Sequence, residues 1–325
     1  MRVLCTGGCG YKGSVLVPKL LNAGHIVSVL DAQWFGRHIE EKPGLIFLQE
    51  DLRALLAHVE PFCNYLRSHD AIIHLAGIAN DPCGELDAKL TWEVNVLATM
   101  RLADAAARAG VKQFIFASSA SVYGIKGEEE IREDMTLEPV SDYNKTKMVA
   151  ERVLLSYADK MAVQIVRPAT VCGWSPRMRV DTMVNMLTTQ AIEKGVITAH
   201  CGEHGGGLMR PNITIDDVTD VYLHMLHNPK LTGVYNAGFE NLSAMETAEL
   251  IASKVPARIE ITKVKDKRSY RVNSNKLLAT GFKPRKTVAD AIDDLVVAHG
   301  EGRYRDEDRC WNLRWMQQHG GAAGT

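Results

Sequence analysis

Tyr143 and Lys147 stand four residues apart, a spacing that places both side chains on one face of a helix. A free phenol has a pKa near ~10, too high for a base at neutral pH. A neighbouring ammonium favours the phenolate, and a drop of two to three units needs roughly 3–4 kcal/mol of differential interaction. Tyr143 is then expected to take a proton when a hydroxyl is oxidised and to give one back in reverse. Lys145, at i+2, points elsewhere on the helix. Such a pair also occurs on ordinary surface helices, so it needs a third member. Phe116-Ala117-Ser118-Ser119-Ala120-Ser121-Val122-Tyr123-Gly124 offers one. A small hydroxyl just past a strand end can hold a substrate oxygen against Tyr143, although serines there also simply cap turns.

A second chemical signal is Thr6-Gly7-Gly8-Cys9-Gly10-Tyr11-Lys12-Gly13. Gly7 permits a tight turn, Gly10 lets the backbone approach a pyrophosphate, and Gly13 allows close packing of helix on strand. Asp31 closes the next strand-like run, where a carboxylate hydrogen-bonds adenosine ribose hydroxyls and repels a 2′-phosphate. NAD is therefore expected over NADP, while Arg37 nearby keeps a phosphate contact open.

These residues need a scaffold that alternates strands with helices, and the N-terminal half reads that way. Strands are expected at 3–6, 26–30, 71–75, 113–117 and 162–166, with helices at 12–22, 91–109 and 143–158. Short buried strands separated by helices imply an α/β fold, a Rossmann-like doubly wound parallel sheet. After Arg167-Pro168 the rhythm breaks, and helices are expected at 181–194, 215–225, 244–254 and 287–298. The expected division is a dinucleotide-binding domain over 1–170, with later segments returning to it, a smaller substrate lobe over 171–319 and a flexible tail at 320–325.

Composition narrows the function classes. Lys plus Arg is 38 and Asp plus Glu is 39, a net charge of -1 over 325 residues, which argues against a nucleic-acid binder. No apolar run approaches the ~20 residues that span a bilayer. A strand beginning at Arg2 and running into a glycine loop is not expected of a secretory leader. The seven cysteines are irregularly spaced and read as reduced thiols in a cytoplasmic protein. His200, Cys201 and His204 lie close together, but no second pair supports a closed metal site, and none is expected.

The TGxxGxxG pattern of the glycine loop resembles the extended short-chain dehydrogenase/reductase family, of the NAD-dependent sugar epimerase/dehydratase type. Further resemblances follow in chain order: Asp51-Leu52-Arg53, His74-Leu75-Ala76-Gly77, and Asn95-Val96 with Thr99. The resemblance implies that Asp51 and Leu52 lie near an adenine and that Leu75, Ala76 and Gly77 pass under the cofactor. It implies that Asn95 supports helix geometry beside the cofactor and that Lys147 holds the nicotinamide ribose. It makes Ser119 the third catalytic residue, with Ser121 as a substrate contact. Arg210-Pro211-Asn212-Ile213-Thr214-Ile215 resembles a family segment whose Arg meets the substrate diphosphate, with Thr214 in place of the usual His. Arg268 and Arg271 lie in or beside a late segment near the nucleotide. Thr170 stands where many epimerases carry a substrate-contacting Asn, and the loop 174–179 is expected to line the sugar site.

Dehydratase-like members carry an Asp-Glu pair, and decarboxylating ones a Glu, in the two positions after the catalytic Ser119. Here those positions are Ala120 and Ser121, neither a proton donor near neutral pH. The expected activity is thus an NAD-dependent nucleotide-sugar epimerase, with a nucleotide-sugar dehydrogenase or reductase as the alternative. A non-catalytic NAD-binding relative would be expected to lose the Tyr/Lys pair. Relatives pair through two helices per subunit, which implies a homodimer built on 91–109 and 143–158. Replacing Asp31 with a small residue is expected to weaken NAD binding and relax discrimination against NADP, as read by titrating both cofactors. A wild-type protein that binds NADP more tightly would overturn the Asp31 argument.

Overall fold

The computed structural model describes residues 1–55, 57, 59–126, 130–202, 208–264 and 269–319. Seven parallel strands form its central sheet. Their order is Gly233–Ala237, Ala162–Pro168, Gln113–Ala117, Ala71–His74, Arg2–Thr6, Ile26–Asp31 and Leu45–Gln49. The chain thus winds outward from Arg2–Thr6 in one direction, then returns and winds the other way. That reversal opens a crevice at the carboxyl ends of the strands.

Both sheet faces are buried, which is why the strands are continuous apolar runs. Val3 and Cys5 point to one face, where Leu16 and Leu20 of helix Gly13–Asn22 and Val218 and Tyr222 of helix Ile215–His227 cover them. Leu4, Ile72 and Phe114 point to the other, against Phe62 of Val59–Leu66, Leu102 of Thr99–Ala109 and Leu154 of Asp142–Leu155. A separate core beyond Pro168 packs helices Met183–Lys194, Ala244–Ala252 and Val288–Gly300 around Val184, Leu187, Ile197, Ile251 and Ile292. Strand Gly233–Ala237 lies late in the chain yet pairs with Ala162–Pro168 in the central sheet. The seven cysteines are buried free thiols. Among the described residues no helix is long and apolar enough to cross a membrane.

Several expected boundaries shift. The first helix begins at Gly13 with Lys12 as its cap, and the helix expected at 143–158 spans Asp142–Leu155 because Ser141 caps it by accepting from the Asn144 N–H at 3.2 Å. The helix expected at 91–109 is Ala88–Trp92, a π-helical stretch Glu93–Ala98, and Thr99–Ala109. A π-bulge inserts a residue into the helical ladder and re-aims the side chains beyond it. Met183–Lys194 starts two residues later than expected. Strand Leu45–Gln49, helix Val59–Leu66 and the C-terminal helix Asn312–His319 carried no expectation.

His74 ends its strand fully buried between Thr6 and Thr99. The Thr99 hydroxyl donates to the Asn95 carbonyl at 2.8 Å, so His74 Nε2–H donates to Thr99 Oγ1 at 2.8 Å, and Nδ1 accepts from Thr6 at 2.6 Å. Burial, with the Lys147 charge adding to it, holds the imidazole down to about 3. The unfolded chain therefore takes up a proton that the native state refuses, so this stability is complete above pH ~6.5 and lost as pH falls toward 3. Denaturant titrations should show a loss of about 2 kcal/mol between pH 7 and pH 5 that a His74→Asn variant lacks. Equal pH slopes in both proteins would contradict this.

Candidate active site

The glycine turn joins Arg2–Thr6 to the first helix. Gly7 adopts φ +70°, and a Cβ there would stand 2.5 Å from the Ala76 backbone nitrogen, so the two chain segments meet at a distance only glycine allows. The Gly10 N–H donates to the Gly7 carbonyl at 3.1 Å and the Ser14 N–H to Gly10 at 2.9 Å, which closes the turn onto the helix. Asp31 accepts from the Cys9 N–H at 2.9 Å and the Gln33 N–H at 2.7 Å. Burial raises its pKa, and these two amides, with Arg177, oppose that rise. Arg37 instead pairs with Glu41 at 2.9 Å and stacks over Phe47 at 3.7 Å.

Two adjoining cavities lie along the strand ends. The smaller, about 160 Å³, is bounded by Gly7, Gly10, Asp31, Asp51 and Leu52, with Leu75, Ala76 and Gly77 beneath. The Asp51 carboxylate is held by the Arg53 guanidinium at 2.8 Å, and Arg53 brings it below its ordinary pKa against the opposing effect of burial. The larger cavity, about 450 Å³, runs from Tyr11, Lys12 and Gly13 to Ser119, Tyr143 and Lys147, and also meets Ser121, Thr170 and Arg210. Both include Gly7, Gly10, Leu75 and Gly77. A third, about 340 Å³, is lined mainly by apolar side chains such as Met186, Leu187, Leu208 and Val264, and shares Met183 and Arg210 with the second.

Helix Asp142–Leu155 carries Tyr143, Lys147 and Glu151 at i, i+4 and i+8. The Ser119 hydroxyl hydrogen-bonds Tyr143 and, with the nearby Arg179 charge, draws the phenol pKa down, but burial outweighs both and raises it. The Lys147 ammonium donates to the Ala117 carbonyl at 3.0 Å and sits 4.8 Å over the Phe116 ring. Burial brings Lys147 down to about 8, opposed by Glu151, and Lys12 down to about 7, with the Lys147 and Arg179 charges adding to its fall. Glu151 and Arg167 form a buried two-bonded pair, at 2.6 and 2.9 Å. Ser118 donates to the same carboxylate. Arg167 continues to the Tyr123 hydroxyl at 2.7 Å, and that hydroxyl donates to Asn236 at 2.8 Å.

Ser119 serves two roles at once, because its oxygen also caps the turn Ala120–Tyr123 and lies 2.8 Å from the Ser121 hydroxyl. Asn95 does not reach either of the first two cavities. Its amide is spent on the Ile78 N–H at 2.8 Å, the Ile78 carbonyl at 3.1 Å and Thr146 at 3.1 Å, tying the strand-end loop to helix Asp142–Leu155. The Tyr11 side chain also turns away, donating to the Gly173 carbonyl at 2.7 Å. In the 174–179 loop, Ser175 binds Ser14 at 2.8 Å and the Tyr11 carbonyl at 2.7 Å, while Arg177 and Arg179 line the large cavity. Arg271 lies on an exposed strand end. Arg268 and His204 lie outside the described residues, and no three His, Cys, Asp or Glu side chains group for a metal among the described ones.

Sequence reasoning missed Asn80, Asp81, Asp181 and Asn312, all on the large cavity. Arg179 pairs with Asp181 at 2.9 Å, Asn80 donates to Asp181 at 3.1 Å, and Ser141 donates to Asp81 at 2.6 Å. The residues present fit an extended dinucleotide beside a second polar ligand. The glycine turn is a cradle that side chains would fill, and the buried Arg177 Nε and Thr182 Oγ1 on the cavity have no partner among the described residues.

Comparison with known proteins places this geometry. The model of the NAD dependent epimerase/dehydratase family matches residues 3–238. A UDP-glucose 4-epimerase of Lactobacillus helveticus is 27% identical over 322 residues, covering 91% of this chain and 95% of that protein. One from Mycolicibacterium smegmatis is 32% identical over 236 residues, covering 69% and 72%. The crystal structure of Thermus thermophilus UDP-glucose 4-epimerase in complex with NAD superposes with a TM-score of 0.81 at 27% identity, covering 93% of this chain and 99% of that one.

Proposed function

Because this chain belongs to the NAD-dependent epimerase/dehydratase family, we propose that it is an NAD-dependent nucleotide-sugar epimerase working through a transient keto sugar. The observation that carries the reading is one cavity lined by Ser119, Tyr143 and Lys147 and also by Arg210, which it shares with an adjoining apolar pocket. Those residues suit a sugar at the hydroxyls, a diphosphate at the guanidinium and a nucleoside in the adjoining pocket. In this reading Gly7, Gly10, Tyr11, Lys12 and Gly13 follow the pyrophosphate through their backbone. Asp31 takes the ribose hydroxyls, and Asp51, Leu52, Leu75, Ala76 and Gly77 bound the adenine side.

When bound, NAD would accept a hydride from a ring carbon and return it to the opposite face. The remaining work falls to side chains. Ser119 fixes the sugar oxygen by hydrogen bonding and holds it toward Tyr143. Tyr143 Oη takes the hydroxyl proton and later restores it. Burial raises the phenol pKa in the protein alone, and a positive charge brought by a bound cofactor would favour the phenolate. Lys147 holds the ribose hydroxyls while anchored to the Ala117 carbonyl. Arg210 grips the diphosphate, leaving the sugar free to turn, and Thr170 and Ser121 border the space in which it turns. Ala120 and Ser121 supply no acid or base for elimination, and Asp81 is engaged by Ser141.

The same reading gives residues 1–170 the cofactor and 171–319 the substrate, in a cytoplasmic homodimer. Supporting the dimer, Leu97 and Met100 are 47% and 41% exposed on the helix running through Asn95. Light scattering should give twice the 35.9 kDa chain mass, and a monomer at micromolar concentration would contradict it. Tyr143→Phe removes only the hydroxyl, so turnover should fall by at least about 10²-fold while NAD stays bound. Product formed with stoichiometric consumption of free NAD or NADH would replace the epimerase with a net oxidoreductase.

A further inference from the structure

The C-terminal helix Asn312–His319 reaches across to the cofactor side of the central sheet. Its Leu313 and Met316 pack with Ile78, Cys83 and Leu90, and with Trp34 and Phe35 from the turn after Asp31. That turn is held in an unusual shape, with Gln33 at φ +57° and Gly36 at φ +81°. A non-glycine residue in the left-handed region persists where its surroundings impose it. Here the indole N–H of Trp315 donates to the Trp34 carbonyl at 2.7 Å, and the Trp315 and Phe35 rings stand 6.3 Å apart.

A second fastening runs through Arg177. Its guanidinium lies 3.8 Å over the Phe35 ring and donates to Asn312 Oδ1 at 2.6 Å. The Asn312 N–H donates to Asp181 at 3.2 Å, and the Arg177 N–H to Ser14 at 3.3 Å. Phe35 lines both cofactor-side cavities and Asn312 the larger one. The turn therefore stands over the groove between Asp31 and the glycine loop, and the last helix holds the turn in place.

We propose that the C-terminal helix is a strap that retains the dinucleotide through successive turnovers, with Trp315 and Asn312 as positioning residues acting through Trp34, Phe35 and Arg177. The proposal rests on the NAD reading above and not on the reaction catalysed. An epimerase must return to the keto sugar the hydride it removed, so a slow exchange of cofactor protects each cycle from being left half finished. Leaving the groove requires the Trp34–Phe35 turn to lift. Lifting it breaks the Trp315 and Arg177 contacts but no strand pairing.

The test uses the full chain loaded with NAD and follows replacement of bound cofactor by isotopically labelled NAD. Trp315→Phe keeps an aromatic ring and removes the N–H donor; Asn312→Ala removes the side-chain acceptor. Lys254→Ala, which breaks an exposed pair with Asp293 elsewhere in the molecule, is the control. Each strap variant should speed exchange severalfold, and the two together by about tenfold or more, the size expected for lost hydrogen bonds. Melting temperatures measured alongside separate this from general loosening. Faster exchange in the strap variants supports the strap even in a protein that epimerises nothing. Exchange no faster than in Lys254→Ala overturns it. If the double variant fails to fold, the Trp315→Phe rate alone decides.

Discussion

Glu151 and Arg167 meet where water does not reach, and the active site depends on how that pair is placed. Removing two charges from water is costly, and the cost is met only when geometry is good and the remaining polar atoms are satisfied. Here two nitrogens of Arg167 engage both carboxylate oxygens, a third reaches Tyr123, and Ser118 completes the carboxylate's shell. These demands fix helix Asp142–Leu155 against the ends of two strands. Ser119 follows Ser118 directly and Lys147 lies one turn from Glu151, so the pair sets the positions of both. An uncompensated charge at either site would be worth several kcal/mol of destabilisation, a strong constraint on a helix that must place a phenol accurately.

Much of this was legible in the order of residue types. The Tyr/Lys spacing, the glycine turn and Asp31 depend on neighbours a few residues away, and local sequence encodes such relations directly. The parallel sheet was legible because strands buried on both faces leave uninterrupted apolar runs. The opposite wall of the cavity was not. Asn80, Asp81, Asp181 and Asn312 come from turns and helix ends far apart in the chain, and their polar types are those that ordinary surface turns also use. Asn95 shows what a local reading leaves out. Its place in a family-like stretch suggested a role beside the cofactor, whereas three buried hydrogen bonds use up its amide.

Lys147 illustrates why spacing alone does not yield electrostatics. The i, i+4 relation puts it on the same face as Tyr143, but a long side chain goes where its ammonium is best satisfied. That partner is the Ala117 carbonyl at a strand end. The phenol takes its hydrogen bond from Ser119 instead, and burial outweighs it. Both facts follow from the depth of the crevice, which no local window reports.

The two halves of the chain are joined at the start of the first helix. Ser14 meets Ser175 across 161 residues of sequence, and Tyr11 reaches Gly173 across 162. The glycine turn is therefore braced by hydroxyls and carbonyls from the far half. The Ser14–Ser175 contact needs a hydroxyl from each half, whereas Tyr11 asks only for a backbone carbonyl that any residue at 173 would offer. Grafting the first half onto another member's second half would therefore have to match the hydroxyl pair and keep the backbone at 173 in place.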